Sequence, residues 1–307
     1  MDILIFIVSM GVLIYGADFI IEQSEKIALK YNISNFVIGA TLVALGTSLP
    51  EMAVSISASV KGSADIAVAN VIGSTIFNIS LVLGFTFLIA KKISPNRDLF
   101  AKDSAWALFP ILVFILMGID GQLNMVDGIL FLILMAGYLT FLISSNQVDD
   151  IDEDLAKEDF SWPKSIALLL VGFAFVIGGA DFAIDSASNI ARQFGISEWV
   201  IGLFLVAFGT SLPELMISVK SALKNNADLA IGNIIGSNVA NFTMVLGLAS
   251  ILNPLNVDLS ANIFDITAAV IASIMLVFIT ANRLYNKSAG IALMVILALV
   301  IQNSLAV

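Results

Sequence analysis

The apolar residues of this chain fall into ten runs, at roughly 3–21, 35–60, 66–90, 104–119, 125–144, 163–184, 198–222, 229–252, 263–281 and 288–305. A helix needs ~20 such residues to cross a bilayer, so the pattern predicts ten transmembrane helices and an all-α polytopic membrane protein. Polar residues collect between the runs. The few that lie inside a run are the informative ones, because lipid offers no partner to a hydroxyl, amide or carboxylate.

Those interior polar positions occur twice. Gly46 to Glu51 and Gly209 to Glu214 both read Gly-Thr-Ser-Leu-Pro-Glu. Val37 to Glu51 matches Val200 to Glu214 at 12 of 15 positions, and Asn70 to Gly84 matches Asn233 to Gly247 at 8 of 15, both at an offset of 163. Asp18 matches Asp181 and Asp65 matches Asp228 at the same offset. A single ungapped offset implies duplication of a five-helix unit. Five crossings are odd, so the second copy starts on the opposite face, as in the inverted repeats of many secondary transporters. The expected organisation is a first repeat at 1–145, an acidic linker at 146–162 and a second, inverted repeat at 163–307.

Composition and charge fit this picture. The chain has 307 residues, of which 59% are hydrophobic and 12% charged, against about 25% charged in soluble domains. Met1 to Ile21 lacks a basic start and a cleavage site and reads as the first span. Twelve Lys and Arg fall in the loops after runs one, three, five, seven and nine, while the opposite face holds only Lys61 and Arg192. The bias places both termini outside and the acidic linker in the cytoplasm, in a multi-pass protein of the cell membrane. The net charge of −10 owes much to seven acids within 149–159. That run lacks the glycine and glutamate of a calcium-binding loop and reads as a solvated linker. Trp106, Trp162 and Trp199 near predicted helix starts suit the interfacial aromatic belt. Asp18 and Glu22, with Asp181 and Asp185, read as interfacial anchors or as an ion-attracting vestibule.

The chain contains no Cys and no His, so a bound metal must be held by oxygen, which favours hard cations such as Ca²⁺, Na⁺ or Mg²⁺. Pro50 and Pro213 lack an N–H and clash with the carbonyl four residues back, so the helices should break there. Carbonyls around Ala44 to Gly46, and around Ala207 in the second copy, then lose their helical partners. Thr47, Ser48 and Glu51, with Thr210, Ser211 and Glu214, add hydroxyls and carboxylates within two turns. Ser48 to Glu51 and Ser211 to Glu214 also fit a local capping box. Gly73-Ser74 and Gly236-Ser237 favour kinks or close approach. Ser74 with Asn78, and Ser237 with Asn241, share a helix face and bring amide oxygens. Those amides fit cation binding or helix–helix hydrogen bonding equally well. Pooled, these groups meet the six to eight oxygens that Ca²⁺ takes at about 2.3–2.6 Å. Two negative charges balance one Ca²⁺ or two monovalent ions, which is a physical basis for exchange.

At these residues the sequence resembles the Ca²⁺/cation antiporter superfamily and, within it, the prokaryotic sodium/calcium exchangers. The resemblance rests on Gly39 to Glu51 with Gly73 to Asn78, and on Gly202 to Glu214 with Gly236 to Asn241. It implies a midplane ion site between broken helices 2, 3, 7 and 8. Glu51 and Glu214 would ligate Ca²⁺, helped by Thr47 and Thr210. Ser48, Ser74, Ser211 and Ser237, with the carbonyls of Ala44 and Ala207, would ring the sodium sites. Helices 1 and 6 would form a sliding gate. The chain departs from the family at Asn241, where well-studied exchangers carry Asp. Two carboxylates rather than three imply about two monovalent ions per Ca²⁺ instead of the family's usual three sodium ions.

The expected function is Ca²⁺/Na⁺ antiport by alternating access, with H⁺/Ca²⁺ antiport as the alternative and a cation channel as a third reading. The two carboxylates, protonated when Ca²⁺ leaves, would serve the second, and a ring of glutamates the third. The chain is not expected to be an enzyme: an intramembrane protease has no His, Cys or paired Asp motif to work with. No resident cofactor and no nucleic-acid partner are expected. The partners are the transported Ca²⁺ and Na⁺ (or H⁺) and the bilayer, with the chain acting as a monomer.

Overall fold

A computed structural model describes residues 2–90, 93–145, 161–193 and 207–306. The acidic run at 149–159 and Trp199 lie outside them. The described residues form α1 (Asp2–Tyr31), α2 (Asn35–Thr47), α3 (Leu49–Val60), α4 (Ala64–Ile89), α5 (Ser104–Asp120), α6 (Met125–Ser144), α7 (Trp162–Gln193), α8 (Ala207–Thr210), α9 (Leu212–Leu223), α10 (Ala227–Leu252), α11 (Ile263–Ala281) and α12 (Lys287–Ala306). Among them, seven helices are long and apolar enough to cross a membrane, and the α2–α3 pair makes an eighth. The fourth apolar run gives only the shorter α5, a helix Phe109–Met117 between two 3₁₀ turns with Pro110 at its start.

α1 and α7 outrun the lipid. Their 30 and 32 residues would span about 45 Å at 1.5 Å per residue, so their polar ends project beyond the hydrocarbon. The two helices lie along each other through glycines. A Cβ on Gly16 would sit 2.7 Å from Phe175 Cβ, and one on Gly179 would sit 3.0 Å from Leu13 Cβ. Small residues allow such approach in lipid, where packing rather than hydrophobicity holds helices together. Asp18 on α1 pairs with Lys220 on α9 at 2.5 Å and with Lys224, just past the end of α9, at 3.0 Å. It acts as a tie between helices, a role beyond the anchor or vestibule expected of it.

The centre of the bundle is made by α4 and α10, the two helices that carry the Gly-Ser motif. Within their apolar windows α10 is 83% buried and α4 67%, against 22% for α12. α10 meets α2 backbone to backbone. Cβ atoms on Gly39, Gly232 and Gly236 would fall 2.6 Å from Leu229 O, 2.5 Å from Phe36 O and 2.4 Å from Ala40 O.

Helices 3 and 8 were expected to be broken, and the structure corrects this. α4 and α10 are continuous spans of 26 residues each. Each instead contains a stretch of wider π-helical turns, at Phe77–Leu83 and Asn241–Val245. The reason is chemical: Gly and Ser keep their amide N–H, so the ladder can shift register, whereas proline removes the donor outright. Among the described residues of predicted helices 2, 3, 7 and 8, the breaks occur at the prolines. α2 and α3 meet at 46° around Ser48, whose ψ of 6° ends the first helix, with Pro50 in the first turn of the next. Ser211 has the same non-helical geometry, ψ 2°, between α8 and α9.

One loop charge counted for orientation is not a surface charge. Arg97 is 6% exposed. Its guanidinium holds Asp103 at 2.5 and 3.0 Å and the Ser145 carbonyl at 2.8 Å, and it lies over the Phe36 ring at 4.9 Å. Burial pushes the Asp103 carboxyl above its ordinary range against the pull of Arg97. The backbone N–H groups of Asn96 and Arg97 donate to Asp228 at 2.9 and 3.2 Å. The loop is thereby tied to the first turn of α10, where a carboxylate also suits the helix dipole, while Asn226 caps the helix by accepting from the Leu229 N–H at 3.0 Å.

Candidate ion-binding site

Glu51 and Glu214 occupy the first turns of α3 and α9, just past the two breaks, and both are fully buried. Each is close enough to feel the other's charge. Among the described residues no third acidic group joins them as a cluster. Thr47, Ser48 and Ser237 stand beside Glu214, and Thr210 beside Glu51. Each carboxylate is therefore attended from the opposite repeat, Glu214 by Thr47 and Ser48 and Glu51 by Thr210, with Ser237 of its own repeat also beside Glu214.

The capping-box alternative is not realised. Neither Ser48 nor Ser211 caps its own helix through its side chain. Ser48 Oγ instead donates to Glu214 Oε1 at 3.4 Å. Both oxygens of Glu51, Oε2 of Glu214, Oγ of Ser211 and Oδ1 of Asn78 are buried without a hydrogen-bond partner. A buried acceptor without a donor costs about 1–3 kcal/mol, more for a charged one. A cation would satisfy such acceptors without bringing acceptors of its own.

Ala44 does not lose its partner as the proline argument expects. Its carbonyl accepts from the Ser48 N–H at 3.0 Å and from the Thr47 hydroxyl at 3.1 Å, and the Ser237 hydroxyl stands 3.5 Å away. It keeps a helical bond because the break falls one residue later. Ala207 opens α8, in the matching place of the second copy. Ser74 is buried on α4 one turn before Asn78.

The asparagines divide in a way the sequence does not announce. Asn78 donates its amide N–H to Asn238 Oδ1 at 3.1 Å, leaving its own oxygen unpartnered. Asn241, fully buried, has no partner at either amide atom. Asn238 aligns with Thr75, which bonds its own helix at Val71 O, 2.9 Å. The repeat is broken there, and the motif comparison has no signal for it.

Asn70 and Asn233 were also missed, although both lie in the matched blocks four residues before Ser74 and Ser237, on the same helical stripe. Asn70 Nδ2 donates to Ser55 Oγ at 2.8 Å and to the Glu51 carbonyl at 3.1 Å, and Ser55 donates to Ala67 O at 3.3 Å. In the second copy, Asn233 Nδ2 donates to Ser218 Oγ at 3.0 Å and Ser218 donates to Ala230 O at 3.2 Å. Asn233 Oδ1 accepts from the Thr47 hydroxyl at 3.3 Å. The asparagine, serine and alanine of one relay match those of the other at the offset of 163.

Comparison with known proteins agrees with this chemistry. The family model described as sodium/calcium exchanger protein matches residues 1–144 and 164–305. An uncharacterized membrane protein of Methanocaldococcus jannaschii is 40% identical over 271 residues, 88% of this chain and 87% of its own. The sodium/calcium exchanger MaX1 of Methanosarcina acetivorans is 31% identical over 341 residues, 95% of each chain. A solved structure of the sodium-calcium exchanger NCX_Mj superposes with a TM-score of 0.84 at 37% identity, covering 98% of this chain and 99% of that one.

Proposed function

The chain belongs to the sodium/calcium exchanger protein family, and from that premise we propose how its own residues carry out the exchange. The protein is a membrane antiporter that moves Ca²⁺ against a counter-flow of cation. Glu51 and Glu214 hold the Ca²⁺. Thr47, Thr210, Ser48, Ser211, Ser74 and Ser237, the amide oxygens of Asn78 and Asn241, and the carbonyls of Ala44 and Ala207 complete the oxygen set for Ca²⁺ and for the monovalent ions. The observation that carries this is the pair of fully buried carboxylates with three of four oxygens unpartnered.

Exchange follows from charge. Two buried carboxylates without a counter-charge are strongly destabilised. The carrier therefore reorients only when one Ca²⁺ or about two monovalent cations neutralise them, and this makes the exchange obligatory and close to electroneutral. Na⁺ is the coupling ion. The ten predicted spans form two inverted five-helix repeats joined by the cytoplasmic linker, with both termini outside. The matched relays of Asn70 and Asn233 support that duplication.

Purified protein in liposomes tests the assignment. An outward Na⁺ gradient should drive ⁴⁵Ca²⁺ accumulation against its own gradient, which no channel can do. Uptake indifferent to Na⁺ but driven by a pH gradient would establish the second reading, in which the same two carboxylates carry protons. That reading draws on the same two fully buried carboxylates, each of which a single proton neutralises.

A further inference from the structure

The relay behind Thr47 has a fixed direction, and that direction has a consequence for the ion site. The Ala230 carbonyl can only accept, so Ser218 gives its proton to it. Ser218 Oγ is then an acceptor and takes the N–H of Asn233. With its donor end held, Asn233 turns Oδ1 toward Thr47 and accepts the hydroxyl proton. The Ala44 carbonyl at 3.1 Å also accepts from this hydroxyl and cannot donate, and Ser237 Oγ at 3.4 Å is a further partner that can donate to it.

We propose that Asn233 is a positioning residue that keeps the Thr47 hydroxyl turned as an acceptor toward the bound cation. Thr47 stands beside Glu214. If it donated to that carboxylate, the two oxygens would satisfy each other instead of the ion; Asn233 Oδ1 and the Ala44 carbonyl compete for the proton. With its proton drawn to Asn233, both oxygens face the cation. Asn233 is fully buried and acts from behind Thr47. The inference rests on Thr47 being a cation ligand. Asn70 and Thr210 hold the matching places at the offset of 163, and Asn70 carries the same donor-end anchor through Ser55 and Ala67.

A double-mutant cycle in liposomes tests it, using the full chain and the concentration dependence of ⁴⁵Ca²⁺ uptake. Thr47→Val removes the ligand, and Asn233→Leu removes the acceptor while keeping the side chain's branching and number of heavy atoms. Each should raise KM for Ca²⁺ about tenfold, the usual scale for loss of an outer-shell partner. The double variant should be no worse than Thr47→Val alone. Ser218→Ala, which releases the donor end but leaves the asparagine, should raise KM in the same direction by a smaller factor. If Asn233→Leu leaves KM unchanged while Thr47→Val raises it, or if the two effects multiply, the positioning role is overturned and the site reading stands. If Thr47→Val itself has no effect, Thr47 is no ligand and both fall. A monodisperse elution profile for each variant separates these outcomes from misfolding.

Discussion

Ser48 and Glu214 are separated by 166 residues in sequence and by 3.4 Å in space. A serine at the start of a helix ordinarily caps that helix. Here it leaves its own N-terminus uncapped and supports the carboxylate of the other copy. Under the proposed site, groups that would hold an ion also join the two halves, so ion binding and the relative placement of the halves would be linked. Replacing Ser48 with Ala should raise KM for Ca²⁺ about tenfold at near-normal maximal rate, on the scale of a lost supporting contact. Concentration-dependent ⁴⁵Ca²⁺ uptake reads this directly, and an unchanged KM would refute the link.

Glu51→Gln and Glu214→Gln each remove one of the two charges that balance Ca²⁺. Transport should fall by at least a hundredfold in either variant, since about 3 kcal/mol of lost charge stabilisation corresponds to that factor. Folding should survive, because both carboxylates lie in a site where their charge is a burden to the apo fold. Measurement of flux beside thermal unfolding distinguishes a dead site from a lost fold. Full transport in both variants would remove them from the site.

Asn241→Asp supplies a third carboxylate at a side chain that is buried with both amide atoms unpartnered. The wild-type protein should move Ca²⁺ with little net charge, and the variant should bind a further monovalent ion and move about one more positive charge per Ca²⁺. A voltage-sensitive dye in liposomes reports the difference. Identical signals from both proteins would show that Asn241 does not set stoichiometry.

Gly73 and Gly236 stand at matching places in the repeats but face different surroundings. A Cβ at Gly73 meets nothing within 4 Å, while one at Gly236 falls 2.4 Å from Ala40 O. Gly73→Ala should leave the unfolding midpoint in detergent where it was. Gly236→Ala should destabilise by about 3 kcal/mol or more, because the opposing atom is helix backbone and cannot step aside. Equal midpoints for the two variants would contradict the packing of α10 on α2.

Asp103→Leu leaves Arg97 buried beside an apolar side chain. Removing one partner of a buried pair costs about 3–5 kcal/mol, so this variant should unfold at markedly lower temperature. Arg97→Met together with Asp103→Leu should recover most of the loss. A double variant worse than the single one would show that the guanidinium's contacts with Ser145 and Phe36, at 2.8 and 4.9 Å, outweigh the ion pair.

What the sequence determined by itself is whatever the bilayer imposes locally. A buried carboxylate, or a proline in a span, carries its cost wherever the chain folds, so Glu51, Glu214 and the two breaks were legible from position alone. So was the duplication, because an offset of 163 is a property of the string. The Gly-Ser steps were legible as sites of a kink or close approach, and Gly236 makes that approach; the breaks that the resemblance implied in those helices are absent, since only the helix shows that its N–H finds a new register. Tertiary structure alone decided the partners. Ser48 with Glu214, Asn78 with Asn238 and Thr47 with Asn233 join residues 160 to 186 apart. A hydroxyl or amide has several acceptors it can satisfy, and which one it meets depends on which helix faces lie together across the bundle.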